Sequence, residues 1–190
     1  KQIAYGAFVT VSYETALAAI EAGSDLNIPV IFITGTDCIE LMGGFDATVE
    51  TVKRAAANTK VPIALHLDHS KTFEDCVKAV NAGYSSVMID GSALPYDENI
   101  ALTKKVVEFA HPLGITVEGE LGRLVGEEGP ALRVKGPEAA QTDPQEAKEF
   151  VARTGVDCLA VSIGTQHGHY VAAPKLNIPR LKEIKKVVDV

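Results

Sequence analysis

Asp68 and His69 follow an apolar run, Ile63 to Leu67, which Pro62 opens and Ser70-Lys71-Thr72 closes. A short run of this kind reads as a buried strand. A buried strand cannot end in a carboxylate and an imidazole without partners, because an unpaired buried charge is costly. The pair is therefore either an ion-paired structural plug or a site. His167 lies beyond the tip of another apolar stretch, Cys158 to Ile163, and Asp90 and Glu120 stand at or near the ends of two more. Imidazole nitrogens together with carboxylate oxygens are the donor types of a catalytic zinc, which takes three protein ligands and keeps one position open. His111, near a helix end, reads instead as a partner for the helix dipole. His169 lies two residues past His167 and can point away from it, and Glu127 and Glu128 taken by themselves are solvated loop charges.

Residues so far apart in sequence need elements that bring them to one face. Strands are expected over Ile3 to Val9, Val30 to Ile33, Ile63 to Leu67, Ser86 to Ile89, Ile115 to Leu121 and Cys158 to Ile163. Between and after them fall helices over Tyr13 to Ala22, Asp46 to Asn58, Phe73 to Ala82, Asp97 to His111, Thr142 to Thr154 and Pro179 to about Val188. Ser12 and Thr72 are N-cap residues, and Gly23, Gly83 and Gly155 are expected to end the helices before them. Gly122 to Gln141 is rich in glycine and charge and too long for an ordinary connection, so it is expected to be a mobile functional loop. Strand then helix, six times over, means a parallel sheet covered by helices. The strands are apolar along their length and polar at their C-terminal ends, at Thr34/Thr36, Asp68/His69, Asp90/Ser92, Glu118/Glu120 and Gln166/His167. In a (β/α)8 barrel those ends gather on one face, which carries the active site. A doubly wound sheet more often has a Gly-rich phosphate turn after its first strand, and Val9-Thr10-Val11-Ser12 is not one.

The chain of 190 residues is 46% hydrophobic with a formal net charge of −7. That suffices for one domain with an ample core, or for part of a larger one. The acidic balance argues against a nucleic-acid surface. No apolar run approaches the length of a membrane span, and Lys1 is read as opening no signal peptide. Cys38, Cys76 and Cys158 are scattered without metal-type spacing, which reads as free thiols in a reducing cytoplasm.

Five segments carry a more specific signal: His66-Leu-Asp-His69, Ser85-Ser-Val-Met-Ile-Asp-Gly-Ser92, Asp97-Glu-Asn-Ile100, Val117-Glu-Gly-Glu-Leu-Gly122 and Ile163-Gly-Thr-Gln-His-Gly168. In order and spacing they resemble the class II, metal-dependent ketose-bisphosphate aldolases, nearest the fructose- and tagatose-1,6-bisphosphate types. The resemblance runs from about residue 61 to 190. It implies a zinc-dependent lyase of carbohydrate metabolism, of the kind glycolysis uses. Such an enzyme cleaves a ketose 1,6-bisphosphate reversibly to dihydroxyacetone phosphate and glyceraldehyde 3-phosphate. Asp68 matches the acid/base that moves the C4 hydroxyl proton. His69 and His167 match two of three zinc-binding histidines, and Asp90 and Glu120 match acids that bind metal in an alternative position. Glu127 or Glu128 matches the loop acid that shuttles the α-proton. Gly168 matches a backbone contact to dihydroxyacetone phosphate, with the carbonyls of Gln166 and Gly168 beside a monovalent cation, Na+ or K+. Thr34, at a strand tip, is a further substrate-binding candidate. Zinc would polarise the ketose carbonyl so that an enediolate can form.

The same resemblance implies a homodimer or homotetramer. It also implies that this chain, read as one domain over residues 1–190, supplies the first six βα units of the barrel. The third histidine and strands seven and eight are expected beyond Val190. A family asparagine near the first strand end is replaced by Val9 and Thr10, and Ser70 stands where the family often has glycine. The alternative from another class is a catalytically inactive barrel fragment or homologue that binds sugar phosphate or a protein partner.

Overall fold

The computed structural model describes residues 4–122, 141–165 and 173–190. The chain divides into two compact units, Lys1–Ile89 with Phe109–Val117, and Asp90–Glu108 with Glu118–Val190.

The first unit holds β1 (Ala7–Val9), α1 (Tyr13–Leu26), β2 (Val30–Thr34), α2 (Thr36–Leu41), α3 (Phe45–Ala56), β3 (Ile63–Ser70), α4 (Phe73–Ala82) and β4 (Ser86–Ile89). Its strands pair in the order β1-β2-β3-β4, all parallel. Strand order therefore follows chain order. A doubly wound sheet would reverse at a switch point, whereas steady progression is the pattern of a barrel wall. Val30, Phe32 and Thr34 align with Ile63, Leu65 and Leu67, which fixes one common face. On that face Phe32, Thr34, Leu67, Val87 and Ile89 are fully buried. Each such Leu or Phe contributes about 1.5–3 kcal/mol by leaving water. The opposite face carries the half-buried Ile31, Ile33 and Ala64, followed by His66.

Two helices of this unit, α1 and α4, start on side-chain caps. Ser12 Oγ accepts from Thr15 N while Thr15 Oγ1 accepts from Ser12 N, a reciprocal cap that starts α1. The helix was expected to stop at Gly23, but it continues to Leu26 and ends at Asn27, which takes a left-handed φ of 51°. Gly23 instead serves close packing, since a Cβ there would fall 2.4 Å from Val30 Cγ2. The short helix α2, directly after the β2 tip, was not foreseen. Thr72 caps α4 as expected, its Oγ1 accepting from Asp75 N at 3.1 Å, and Gly83 closes that helix.

The second unit holds most of α5 (Tyr96–Ala110), the end of β5 (Thr116–Leu121), α6 (Pro144–Thr154), β6 (Cys158–Val161) and α7 (Ile178–Lys185). β5 and β6 are parallel, with Glu120 opposite Ala160. Asp143 caps α6, its Oδ1 accepting from Gln145 N and Glu146 N, with Pro144 as the first helical residue. Thr142 ties the two strand ends together: its hydroxyl donates to the Leu121 carbonyl and accepts from Ser162 N. Of the expected mobile loop, Gly122 to Gln141, all but those two end residues lie outside the described residues. None of the described helices is long and apolar enough to cross a membrane.

Candidate active site

The β3 tip departs from a regular ladder. Leu67 pairs with Val87 and Ser70 pairs with Ile89, so three steps on β3 match two on β4. That is a β-bulge at Asp68-His69. His69 takes a left-handed φ of 49°, a conformation in which histidine is enriched among the non-glycine residues that adopt it. Consecutive strand residues normally point to opposite faces. Here Leu67 and Ser70 are both fully buried in line with Val87 and Ile89, while Asp68 and His69 between them are only half-buried. The bulge thus releases two adjacent polar side chains from the packed face together. Strain of this kind costs on the order of 1–3 kcal/mol and persists only where the surroundings enforce it. Part of that enforcement comes from Ser70, whose Oγ donates to the Thr72 carbonyl at 3.1 Å, fastening the tip to the start of α4.

His66 lies two residues before Asp68 and is 7% exposed. Its Nδ1 sits 2.8 Å from Ser86 Oγ on β4. Burial pushes its pKa down, the nearby Asp68 pulls it back up, and His69 adds to the lowering. Sequence reasoning placed His66 in a motif but gave it no role. Thr34, the expected substrate contact, is fully buried with Oγ1 2.9 Å from Tyr84 Oη. Burial raises the Tyr84 pKa, and hydrogen bonds with Thr34 and Thr48 oppose that rise. Cys76, one of three free thiols, is buried and pushed up to about 11, which makes it a poor nucleophile. His111 opens the 3-10 turn His111–Leu113 at the end of α5.

In the second unit Asp90 and Glu120 are 6% and 5% exposed, and an oxygen of one carboxylate lies within 4.8 Å of an oxygen of the other. Asp90 Oδ1 accepts from Ser92 N at 3.0 Å. Two buried carboxylates this close disfavour double ionisation unless a cation or a shared proton intervenes. The pair therefore fits a divalent metal by both charge and donor type. The sequence led one to pair these acids through their strand positions, their donor types and the family resemblance. Asn99, which hydrogen-bonds the backbone of Glu120, it left without a role. Asn99 is 2% exposed, and its Nδ2 donates to the Glu120 carbonyl at 2.9 Å. Glu127, Glu128, Gln166, His167 and Gly168 lie outside the described residues.

Comparison with known proteins adds the family. The family model for class-II fructose-bisphosphate aldolase matches residues 1–190. A fructose-bisphosphate aldolase of Helicobacter pylori is 44% identical over 188 residues, covering 97% of this chain and 61% of the relative. A probable fructose-bisphosphate aldolase of Bacillus subtilis is 42% identical over 188 residues, covering 98% of this chain and 65% of the relative. The crystal structure of the YdjI aldolase from Escherichia coli K12 superposes with a TM-score of 0.84 at 37% identity, over 98% of this chain and 64% of that one. This chain thus spans somewhat under two thirds of the length of the proteins it matches. The structural likeness identifies its parallel strands as the first six βα units of a (β/α)8 barrel, as the sequence led one to expect. The chain belongs to the class-II fructose-bisphosphate aldolase family.

Proposed function

We propose that the protein carrying this chain is a zinc-dependent aldolase that reversibly cleaves a ketose 1,6-bisphosphate to dihydroxyacetone phosphate and glyceraldehyde 3-phosphate. Within a chain of this family, the bulge that frees Asp68 and His69 from the packed face is the observation that supports it most. Asp68 takes the proton from the substrate C4 hydroxyl as the C3–C4 bond breaks and the aldehyde leaves. Glu127 or Glu128 then delivers a proton to the carbon left electron-rich at C3. In the direction of synthesis the same two groups work in reverse.

His69, Asp90 and Glu120 carry metal-donor side chains and are proposed as ligands, and His167 is proposed to add a second imidazole. When bound, the metal supplies Lewis acidity at the ketose carbonyl. Gly168 is proposed as a contact to the phosphate-bearing three-carbon product, and Gln166 and Gly168 as ligands of a monovalent cation. Because Thr34 Oγ1 is engaged with Tyr84, a substrate contact at that strand tip falls to the backbone.

Fructose and tagatose bisphosphates differ in one hydroxyl configuration, and either fits these roles. The test is an aldolase assay of the protein on both bisphosphates, with metal content measured in parallel. Cleavage of one of them, abolished by a chelator and restored by zinc, is the expected result. Absence of cleavage with full metal occupancy would favour an inactive sugar-phosphate binder. The same preparation run by analytical ultracentrifugation tests the homodimer or homotetramer proposed with it.

A further inference from the structure

We propose that Asn99 is a positioning residue that sets the spacing of the Asp90 and Glu120 carboxylates. This rests on the metal-binding role proposed above for those two acids. Asn99 belongs to Asp97-Glu-Asn-Ile100, a segment that the catalytic roles leave unused. It lies in the first turn of α5 and is 2% exposed. Burying a side-chain amide is costly unless both of its ends are satisfied. Both are. Nδ2 donates to the backbone carbonyl of Glu120 at 2.9 Å, and Oδ1 accepts from Thr103 Oγ1, one turn further along α5, at 3.1 Å. The Thr103 hydroxyl thereby fixes which way the amide faces.

The same amide also touches the other acid's neighbour. A Cβ at Gly91 would fall 2.3 Å from Asn99 Oδ1 and 2.8 Å from its Cγ, so the residue after Asp90 must be glycine for the chain to pass this close. One rigid side chain therefore abuts the backbone at Gly91, next to Asp90, and hydrogen-bonds the backbone of the β5 tip. The carboxylates of Asp90 and Glu120 project from those two places. A smaller apolar residue at 99 would fill part of the space but would leave the Glu120 carbonyl without this donor. Groups that hold metal ligands in place typically affect metal affinity by about 10- to 100-fold when changed.

The test measures zinc affinity of the metal-free protein by competition with a chromophoric chelator, together with thermal melting and kcat and KM. Asn99→Asp keeps the size and the acceptor facing Thr103 but removes the donor to Glu120. It is expected to weaken zinc binding by about 10- to 100-fold in protein that remains folded. Thr103→Val, which frees the amide to flip, should shift affinity in the same direction by less, and Thr103→Ser should restore the parent value. If Asn99→Asp fails to fold, the two Thr103 variants decide. Zinc affinities of Asn99→Asp and Thr103→Val equal to the parent, with only the melting temperature lowered, would show a purely structural residue and overturn the proposal. Failure of the underlying metal role looks different: zinc binding by the parent would then be indifferent to Asp90→Asn and Glu120→Gln.

Discussion

At the β3 tip the backbone does the aiming. A register shift and one left-handed residue free Asp68 and His69 from the packed face together, and a serine hydroxyl fastens the distorted end to the next helix. At the tips of β4 and β5 the aiming is done from outside, by the amide of Asn99 reaching from α5. The two solutions answer different demands. Adjacent residues on one strand share a face only if the ladder is broken, because side chains alternate with a period of two. Residues on separate strands can already share a face, and they need only their spacing fixed. Strain therefore appears where the proposed chemistry needs neighbours in sequence, and side-chain bracing where it needs neighbours in space.

The sharpest way to break this comparison is to remove the group that the bulge presents. Asp68→Ala should keep its metal but lose about 100- to 10,000-fold in turnover, the usual contribution of a general acid–base group. Near-normal turnover with full metal content would mean that the bulge serves something else. On the braced side, Gly91→Ala drives a methyl into the Asn99 amide. An overpacking cost of about 1–3 kcal/mol is expected in urea unfolding, and an unchanged midpoint would show that the β4 tip is free to move away.

The strained side can be tested without confounding it with the lost imidazole. His69→Asn and His69→Val both remove the ring, but asparagine tolerates a left-handed φ and valine does not. The valine variant should be the less stable of the two by about 1–2 kcal/mol. Equal stabilities would mean that the left-handed residue relaxes once the histidine is gone. Thr34→Val removes the hydroxyl partner of Tyr84 at a tip with neither device. It should cost about 1 kcal/mol with little change in turnover, and a collapse in turnover would give Thr34 a direct part in the site.

The smallest expected effect is a pH dependence. The folded His66 pKa is lowered below its ordinary 6.5, chiefly by burial. Below pH 6.5 the unfolded chain takes up a proton that the folded chain resists, so stability should fall as pH drops through that value and recover above it. His66→Gln should flatten the slope of the urea midpoint between pH 7.5 and 5.5 (measured with chelator present), whereas an unchanged slope would point to other groups.

Much of this was legible in the residues themselves. Apolar runs with polar ends located the six strands, and Ser12 and Thr72 announced their helices because capping is settled within four residues. The five motifs led to the family that the comparisons establish. Gly23 misled, because a glycine that ends a helix and one that lets a strand pack close look alike until the strand is in place. His66 and Asn99 stood in quoted motifs, yet their partners Ser86 and Glu120 are 20 and 21 residues away. The sequence by itself determined the six strands, all but one of the helices, their order and the residue types at the strand ends, since those follow from local periodicity and capping. The tertiary structure alone decided that Asp68 and His69 escape alternation together and that one amide spans two strand tips. A register shift exists only relative to a neighbouring strand, and a buried donor acquires its role only from the acceptor that folding brings to it.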